Sequence, residues 1–279
     1  MHIPSIDLND GRRIPHLGFG TWKIPAADAR ARVAFAIKTG YRHIDTAKAY
    51  FNEQGVGEAL RAGGEEREGL FLTNKLWNSD QGYDAAMRAC ETSLNVLKAD
   101  YLNLYLIHWP CPKLGKFPDS WKALIALREQ RLVRSIGVSN FTIENLDYII
   151  RETDVIPAVN QIELHPHFQQ AELRAFHKKH NIATESWSPP GRGTALQDPM
   201  IQKIAAAHDR RPVQIILRRQ IEIGNIVIPK SNTESRIIEN FRLFDFKLTE
   251  ADKAAIAAWD KQNGRILPDS KDFNGLDPS

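Results

Sequence analysis

Leu102-Asn103-Leu104-Tyr105-Leu106-Ile107-His108-Trp109-Pro110 is an apolar run that ends on a histidine and is closed by a tryptophan and a proline. A short, nearly continuous apolar segment marks a strand buried on both faces, as in a parallel sheet. The strand ahead of His108 places that histidine at a carboxyl end. Two upstream segments repeat the pattern: His43-Ile44-Asp45, which leads on to Tyr50, and Leu72-Thr73-Asn74-Lys75. Each delivers a polar residue just past an apolar run.

The same beat extends along the chain. Strands are expected at 16–20, 41–45, 70–74, 102–107, 133–138, 157–162, 182–187 and 225–229. Helical periodicity falls between them, at 28–39, 81–98, 119–131, 142–152, 169–180 and 233–241. Two further helical stretches, 198–208 and 212–223, precede the last strand, and 249–260 follows. In 28–39, Ala29, Val33 and Ile37 share a face and Gly40 follows as a stop. Eight strands alternating with helices predict an α/β fold, a (β/α)8 TIM barrel with extra helices, as a single domain over 1–279. The Asp10-Gly11 turn between short apolar runs predicts an N-terminal β-hairpin ahead of it. A doubly wound sheet would announce itself with a Gly-rich turn after its first strand; Gly55-Val56-Gly57 lacks the third glycine.

In such barrels the reactive groups stand at the carboxyl ends of the strands. That rule collects Asp45, Lys75 and His108 after the second, third and fourth strands, and Tyr50 in the loop beyond Asp45. It continues with Ser139 and Asn140, Gln161, Trp187 and Lys230. An unperturbed tyrosine titrates at about 10, so it is a poor acid at neutral pH. A nearby ammonium stabilises the phenolate, and a carboxylate can hold the ammonium in place. The quartet is the outline of a carbonyl-reducing site.

Blander readings compete. Lys48 is as near to Tyr50 in sequence as Lys75 is, and Ser139-Asn140 could be a helix N-cap. Trp22, Trp77 and Trp109 could be core, although all follow strand ends and suit an aromatic substrate pocket. Glu163, His165 and His167 resemble a metal trio but lack zinc spacing, so no metal is expected.

Composition narrows the partners. The 37 basic and 34 acidic residues are interspersed and leave a net charge of +3, which argues against nucleic acid. No apolar run reaches membrane-spanning length, so no membrane partner is expected. Cys90 and Cys111 form no disulfide framework, and Met1-His2-Ile3-Pro4-Ser5 has no signal-peptide pattern. A cytoplasmic monomer is the expectation.

The chain resembles the aldo-keto reductases in Gly40-Tyr41-Arg42-His43-Ile44-Asp45-Thr46-Ala47, Leu106-Ile107-His108-Trp109-Pro110 and Ser135-Ile136-Gly137-Val138-Ser139-Asn140-Phe141. Asn160-Gln161-Ile162-Glu163-Leu164-His165-Pro166 and Ile228-Pro229-Lys230-Ser231 extend the match over nearly the whole chain. Glu185-Ser186-Trp187-Ser188-Pro189 is similar to the bacterial branch that reduces 2,5-diketo-D-gluconate. The resemblance implies an NADPH-dependent oxidoreductase acting on aldehydes, α-dicarbonyls or keto-sugar acids. It makes Tyr50 the general acid, with Lys75 lowering its pKa, Asp45 holding Lys75, and His108 orienting the carbonyl. Cofactor contacts would come from Thr21, Trp22, Asp45, Ser139, Asn140, Gln161, Trp187, Ser188 and Gly191. Lys230, Ser231, Asn232 and Arg236 would take the 2′-phosphate, with Glu239 and Asn240 near the adenine. A carbonyl substrate would meet Trp22, Tyr50, Trp77, His108 and Trp109. Pro190, Asn232 and Arg219 depart from the family's usual residues, which bears on the cofactor loop rather than the quartet. A Schiff-base aldolase using Lys75 or Lys230 is one rival reading, and a non-catalytic NADPH-binding module the other.

Overall fold

The computed structural model describes residues 3–62, 64–187, 189–261 and 264–276. Strands β1 (Ser5–Asp7) and β2 (Arg13–Pro15) pair antiparallel as the N-terminal hairpin. Gly11 makes its turn at φ +80, a conformation glycine adopts at no steric cost. Leu8 and Ile14 of this hairpin pack on Phe71, Leu104, Val159 and Ile226. Those residues lie at or near the amino ends of their strands, so the hairpin plugs that end and leaves the carboxyl end open.

Eight parallel strands follow in one sheet, each beside the next in chain order. They are β3 (Phe19–Gly20), β4 (His43–Asp45), β5 (Phe71–Leu76), β6 (Leu102–Ile107), β7 (Val133–Ser139), β8 (Val159–Glu163), β9 (Ala183–Trp187) and β10 (Ile226–Val227). The ring is completed where Leu17 bridges Val227 in parallel. Gly18 donates its backbone N–H to Val227 O at 2.8 Å, and Val227 donates to His16 O at 3.0 Å. The expected strands 16–20 and 225–229 thus shrink to two regular residues each, because this seam is a short ladder. Gly20 is required here: a Cβ on it would come within 2.8 Å of Ile228 O.

Helices α1 (Ala26–Thr39), α2 (Glu53–Ala62), α3 (Tyr83–Leu97), α4 (Phe117–Glu129), α5 (Ile143–Thr153) and α6 (Ala171–Lys179) each join two successive strands. Between β9 and β10 lie two helices, α7 (Pro199–Ala207) and α8 (Pro212–Glu222), while α9 (Glu234–Phe241) and α10 (Glu250–Ala257) follow the last strand. Gly55 and Gly57 turn out to serve packing. A Cβ at Gly57 would sit 2.2 Å from Leu97 O, and one at Gly55 would sit 2.8 Å from the Ala29 side chain. Helix α5 is capped by Thr142, whose hydroxyl accepts from the Asn145 N–H in a capping box; Ser139 and Asn140 are therefore released from capping. Among the described residues no helix is long and apolar enough to cross a membrane.

Candidate active site

Lys75 sits within β5, fully buried, with its ammonium spent on three oxygens. Nζ donates to Asp45 Oδ1 at 2.6 Å, to Thr46 O at 3.1 Å and to the Tyr50 hydroxyl at 3.3 Å. Those bonds use its whole donor capacity. Tyr50 is returned to the strand ends by a 3-10 turn, Lys48–Tyr50, which Phe51 stops in the left-handed region at φ 54. Asn52 anchors that loop from behind, donating to Thr21 O at 2.9 Å and Ile24 O at 3.0 Å while accepting from Thr46 Oγ1. Lys48 turns away to Asp80, 2.6 Å off, so Lys75 is the ammonium beside the phenol.

The electrostatics follow from burial. Burial pushes the Tyr50 phenol up to about 12, with the Lys75 charge opposing it and Asp45 adding to it. Lys75 thus moderates the acid without bringing it below its ordinary value. Burial pulls Lys75 downward, but the Asp45 carboxylate and Tyr50 outweigh it and hold the ammonium above its ordinary range. His108 is held well below the usual histidine range by burial and then by Lys75, so its imidazole is neutral. Its ring stands edge-on to Tyr50 at 5.8 Å between centroids and to Trp77 at 5.0 Å.

Across the mouth, the predicted amide-binding residues form one chain of hydrogen bonds. Ser139 donates to Gln161 O at 2.8 Å, and Asn140 Nδ2 donates to His108 O at 3.0 Å and to Ser139 Oγ at 3.1 Å. The Trp187 indole N–H reaches Asn140 Oδ1 at 2.9 Å. Gln161 points inward, donating to Asp45 Oδ2 at 2.8 Å and to Glu185 Oε2 at 2.7 Å.

The aromatic residues separate. Trp77 and Trp109 are buried with Ala49 and Cys111, and Tyr50, Leu267 and Phe273 pack around them. Trp22 is 38% exposed, at the rim. The C-terminal tail crosses this side of the mouth: Trp77 donates to Leu276 O at 2.8 Å, and Trp109 meets Phe273 at 4.4 Å between ring centroids. Glu163 pins the tail, accepting from the backbone N–H groups of Ile266 at 2.6 Å and Leu267 at 3.2 Å. That use of Glu163, with His165 3.0 Å from it, accounts for two of the residues weighed as metal ligands.

Past β10 stand the residues expected at the phosphate. Lys230 is half-buried and its pKa is lowered, by burial and then by the neighbouring Lys23 charge. Among the described residues neither Lys230 nor Arg236 has a carboxylate partner. Ser231 is buried and accepts from the Thr233 N–H at 3.0 Å; Asn232 and Arg236 are exposed, Glu239 is half-buried and Asn240 is buried. Gly191 opens a 3-10 segment running to Gln197, whereas Ser188 lies outside the described residues. Thr21 is wholly buried, donating its hydroxyl to Thr46 Oγ1 at 3.0 Å.

Sequence reasoning missed Asn52 and Glu185. A glutamate inside the expected strand 182–187 is the signal that could have revealed the second, because a lone charge in a buried strand needs partners.

Comparison with known proteins identifies the family of the chain. The model of the Aldo/keto reductase family matches residues 16–261. An aldo-keto reductase from Mycolicibacterium smegmatis is 52% identical over 97% of this chain and 98% of its own. Methylglyoxal reductase DkgA from Yersinia pestis is 47% identical over 97% of both chains. A crystal structure of a Gox0644 mutant in complex with NADPH superposes with a TM-score of 0.95 at 46% identity, covering 98% of this chain and 99% of that one. The strand-end quartet, the closed parallel barrel and these matches agree, and the chain belongs to the aldo/keto reductase family.

Proposed function

We propose that this protein is an NADPH-dependent reductase of aldehydes, α-dicarbonyls or keto-sugar acids, with Tyr50 as the general acid. The single observation that carries the reading is the Lys75 ammonium, buried and shared between Asp45 at 2.6 Å and the Tyr50 hydroxyl at 3.3 Å. A phenol at about 12 keeps its proton until a stronger base forms beside it. The alkoxide developing as a carbonyl is reduced is such a base. Tyr50 would give up its proton to that oxygen, leaving a phenolate that Lys75 stabilises, and the tyrosine would recover a proton from solvent. The neutral His108 can donate one ring N–H to the same oxygen and so orient the carbonyl. Trp77, Trp109 and Phe273 give that space an apolar wall.

The residues at this end of the barrel fit the cofactor. Trp187 is held by Asn140 as a fixed platform for a flat ring. Lys230, crowded by Lys23 and without an ion-paired carboxylate among the described residues, suits an anion such as the 2′-phosphate, with Arg236 exposed nearby in the chain. NADPH, when bound, supplies the hydride. A methylglyoxal reductase among the relatives, and a neighbour solved with NADPH, support the substrate class and the choice of cofactor.

The aldolase reading needs a neutral amine nucleophile. Lys75, held charged by Asp45, is a poor one. The deciding experiment follows NADPH oxidation with methylglyoxal, 2,5-diketogluconate, a keto sugar and an aromatic aldehyde, for the wild type and Tyr50→Phe. Turnover that the mutation abolishes while NADPH binding persists supports the proposal; a fully active mutant overturns it.

A further inference from the structure

Among the described residues, Glu185 is the one carboxyl group in the floor of the site to which none of the roles above is given. It faces Gln161 directly across the β8–β9 ladder and is fully buried. Gln161 divides its amide hydrogens between Asp45 Oδ2 and Glu185 Oε2, at 2.8 and 2.7 Å. One amide thus ties the carboxylate that holds Lys75 to a second acid behind it. We propose that Glu185 is a positioning residue: uncharged while the enzyme works, it fixes Gln161 and Asp45, and its ionisation sets the alkaline limit of carbonyl reduction.

The charge balance supports this. The titratable groups around Glu185 are Asp45 and His43 on β4, Lys75 on β5 and Tyr50 in the loop after β4; Thr73 on β5 and Gln161 on β8 are the neutral polar neighbours. His43 lies 3.7 Å from Glu185 Oε1 but is driven down to about 3 by burial and by Lys75, so it brings no positive charge. Among the described residues Lys75 is then the only cation in the group, and its bonds go to Asp45, Thr46 and Tyr50. With Glu185 protonated, Asp45 and Lys75 cancel. With it ionised, the buried group carries a net negative charge, which is costly away from water. Burial and then the Asp45 charge accordingly push Glu185 up to about 8.

The same geometry settles the orientation of Gln161. Two acids on one side demand the NH2 there, so the amide presents only its carbonyl oxygen elsewhere. The charge of an ionised Glu185 is one of the influences that raise the Tyr50 pKa and weaken it as an acid. The other groups cannot supply an alkaline limb at this position. Tyr50 titrates at about 12, Lys75 is held above its usual range, and His108 lies well below 6.5.

This inference rests on the reductase reading, and its test separates the two. The wild type, Glu185→Gln and Glu185→Asp are compared from about pH 6 to about pH 10, with saturating NADPH and an aldehyde that has no ionisable group. The wild-type kcat/KM is expected to fall about thirtyfold from about pH 7 to about pH 9.5. Glu185→Gln should keep its neutral-pH rate within about threefold and lose the fall, and Glu185→Asp should restore it. Difference infrared spectra of the cofactor-free protein should show a protonated carboxylic acid that disappears through the same range and is missing in Glu185→Gln. A flat wild-type profile, an unchanged limb in Glu185→Gln, or no such infrared band overturns the assignment, and the first and third need no variant to fold. A wild type that oxidises NADPH with no carbonyl compound would instead sink the reductase reading, while leaving the infrared result to decide the state of Glu185.

Discussion

Trp187 donates its indole N–H to the side-chain oxygen of Asn140 at 2.9 Å, joining the end of β9 to the residue just past β7. Asn140 can take this part because it sits in the left-handed region at φ 62, which asparagine tolerates better than most residues, and its amide nitrogen is turned to His108 O. The ring that would carry the nicotinamide and the backbone of His108 are therefore linked through one amide. Trp187→Phe keeps an aromatic face and loses the bond, a loss of roughly 1 kcal/mol. Calorimetric titration should give an NADPH Kd about fivefold weaker for Trp187→Phe and weaker again for Trp187→Ala; equal affinities in all three proteins would show that the platform is unimportant.

Asp45→Asn leaves Lys75 buried without its counter-charge. Breaking a buried pair from one side typically costs about 3–5 kcal/mol, since the remaining charge is uncompensated. Urea unfolding of the variant should give an unfolding free energy lowered by that amount, together with a reductase rate reduced by at least about a hundredfold. A variant as stable as the wild type would mean that Lys75 finds another partner or loses its proton.

At the phosphate end, Lys230→Ala and Arg236→Ala should each weaken NADPH about tenfold or more and leave NADH almost untouched. A charge-assisted contact is worth about 1.5–3 kcal/mol, and only NADPH has the phosphate to make it. Kd values for both nucleotides, measured at one salt concentration, check this. Parallel losses for NADPH and NADH would place these cations elsewhere on the cofactor.

The tail supplies a steric test. Gly264 approaches His167 so closely that a Cβ would lie 1.7 Å from its carbonyl oxygen. Gly264→Ala must shift the backbone that Glu163 pins at Ile266 and Leu267. Hydrogen exchange across 264–276 should speed up, and KM for the carbonyl substrate should rise about tenfold with the fold intact. Unchanged exchange would show that the tail accommodates the methyl.

Glu185 also gives the stability a pH dependence whose sign is fixed. Its folded pKa, about 8, is above the ordinary 4.5, so the folded state binds the proton more tightly than the unfolded chain. Its contribution is intact below 4.5 and is lost as pH rises through about 8. Thermal melts should therefore show Glu185→Gln gaining on the wild type as pH rises from about 4.5 to about 8. A constant gap in Tm would contradict that.

Strands such as 102–107 and 133–138 were legible because burial on both faces writes a continuous apolar run, and their observed bounds, Leu102–Ile107 and Val133–Ser139, hardly move. The same rule located Asp45, Lys75 and His108, since a strand's end is a local feature of the chain. The seam at 16–20 and 225–229 was less legible: its length depends on how two distant backbones meet at Gly20 and Ile228. Gly55 and Gly57, which resemble half of a phosphate-binding turn on paper, became packing contacts once α1 and α3 stood beside them.

By itself, then, the sequence determined the barrel, the family and the set of polar residues at its mouth, because periodicity, strand ends and motifs are properties of neighbours in the chain. Only the tertiary structure decided that Lys75 rather than Lys48 meets Tyr50, that burial outweighs the ammonium and lifts the phenol to about 12, and that Glu185 shares Gln161 with Asp45. Ion pairing and desolvation depend on distances across the barrel and on the exclusion of water, and residues as far apart as Asp45 and Glu185 come under one field only when the sheet has closed around them.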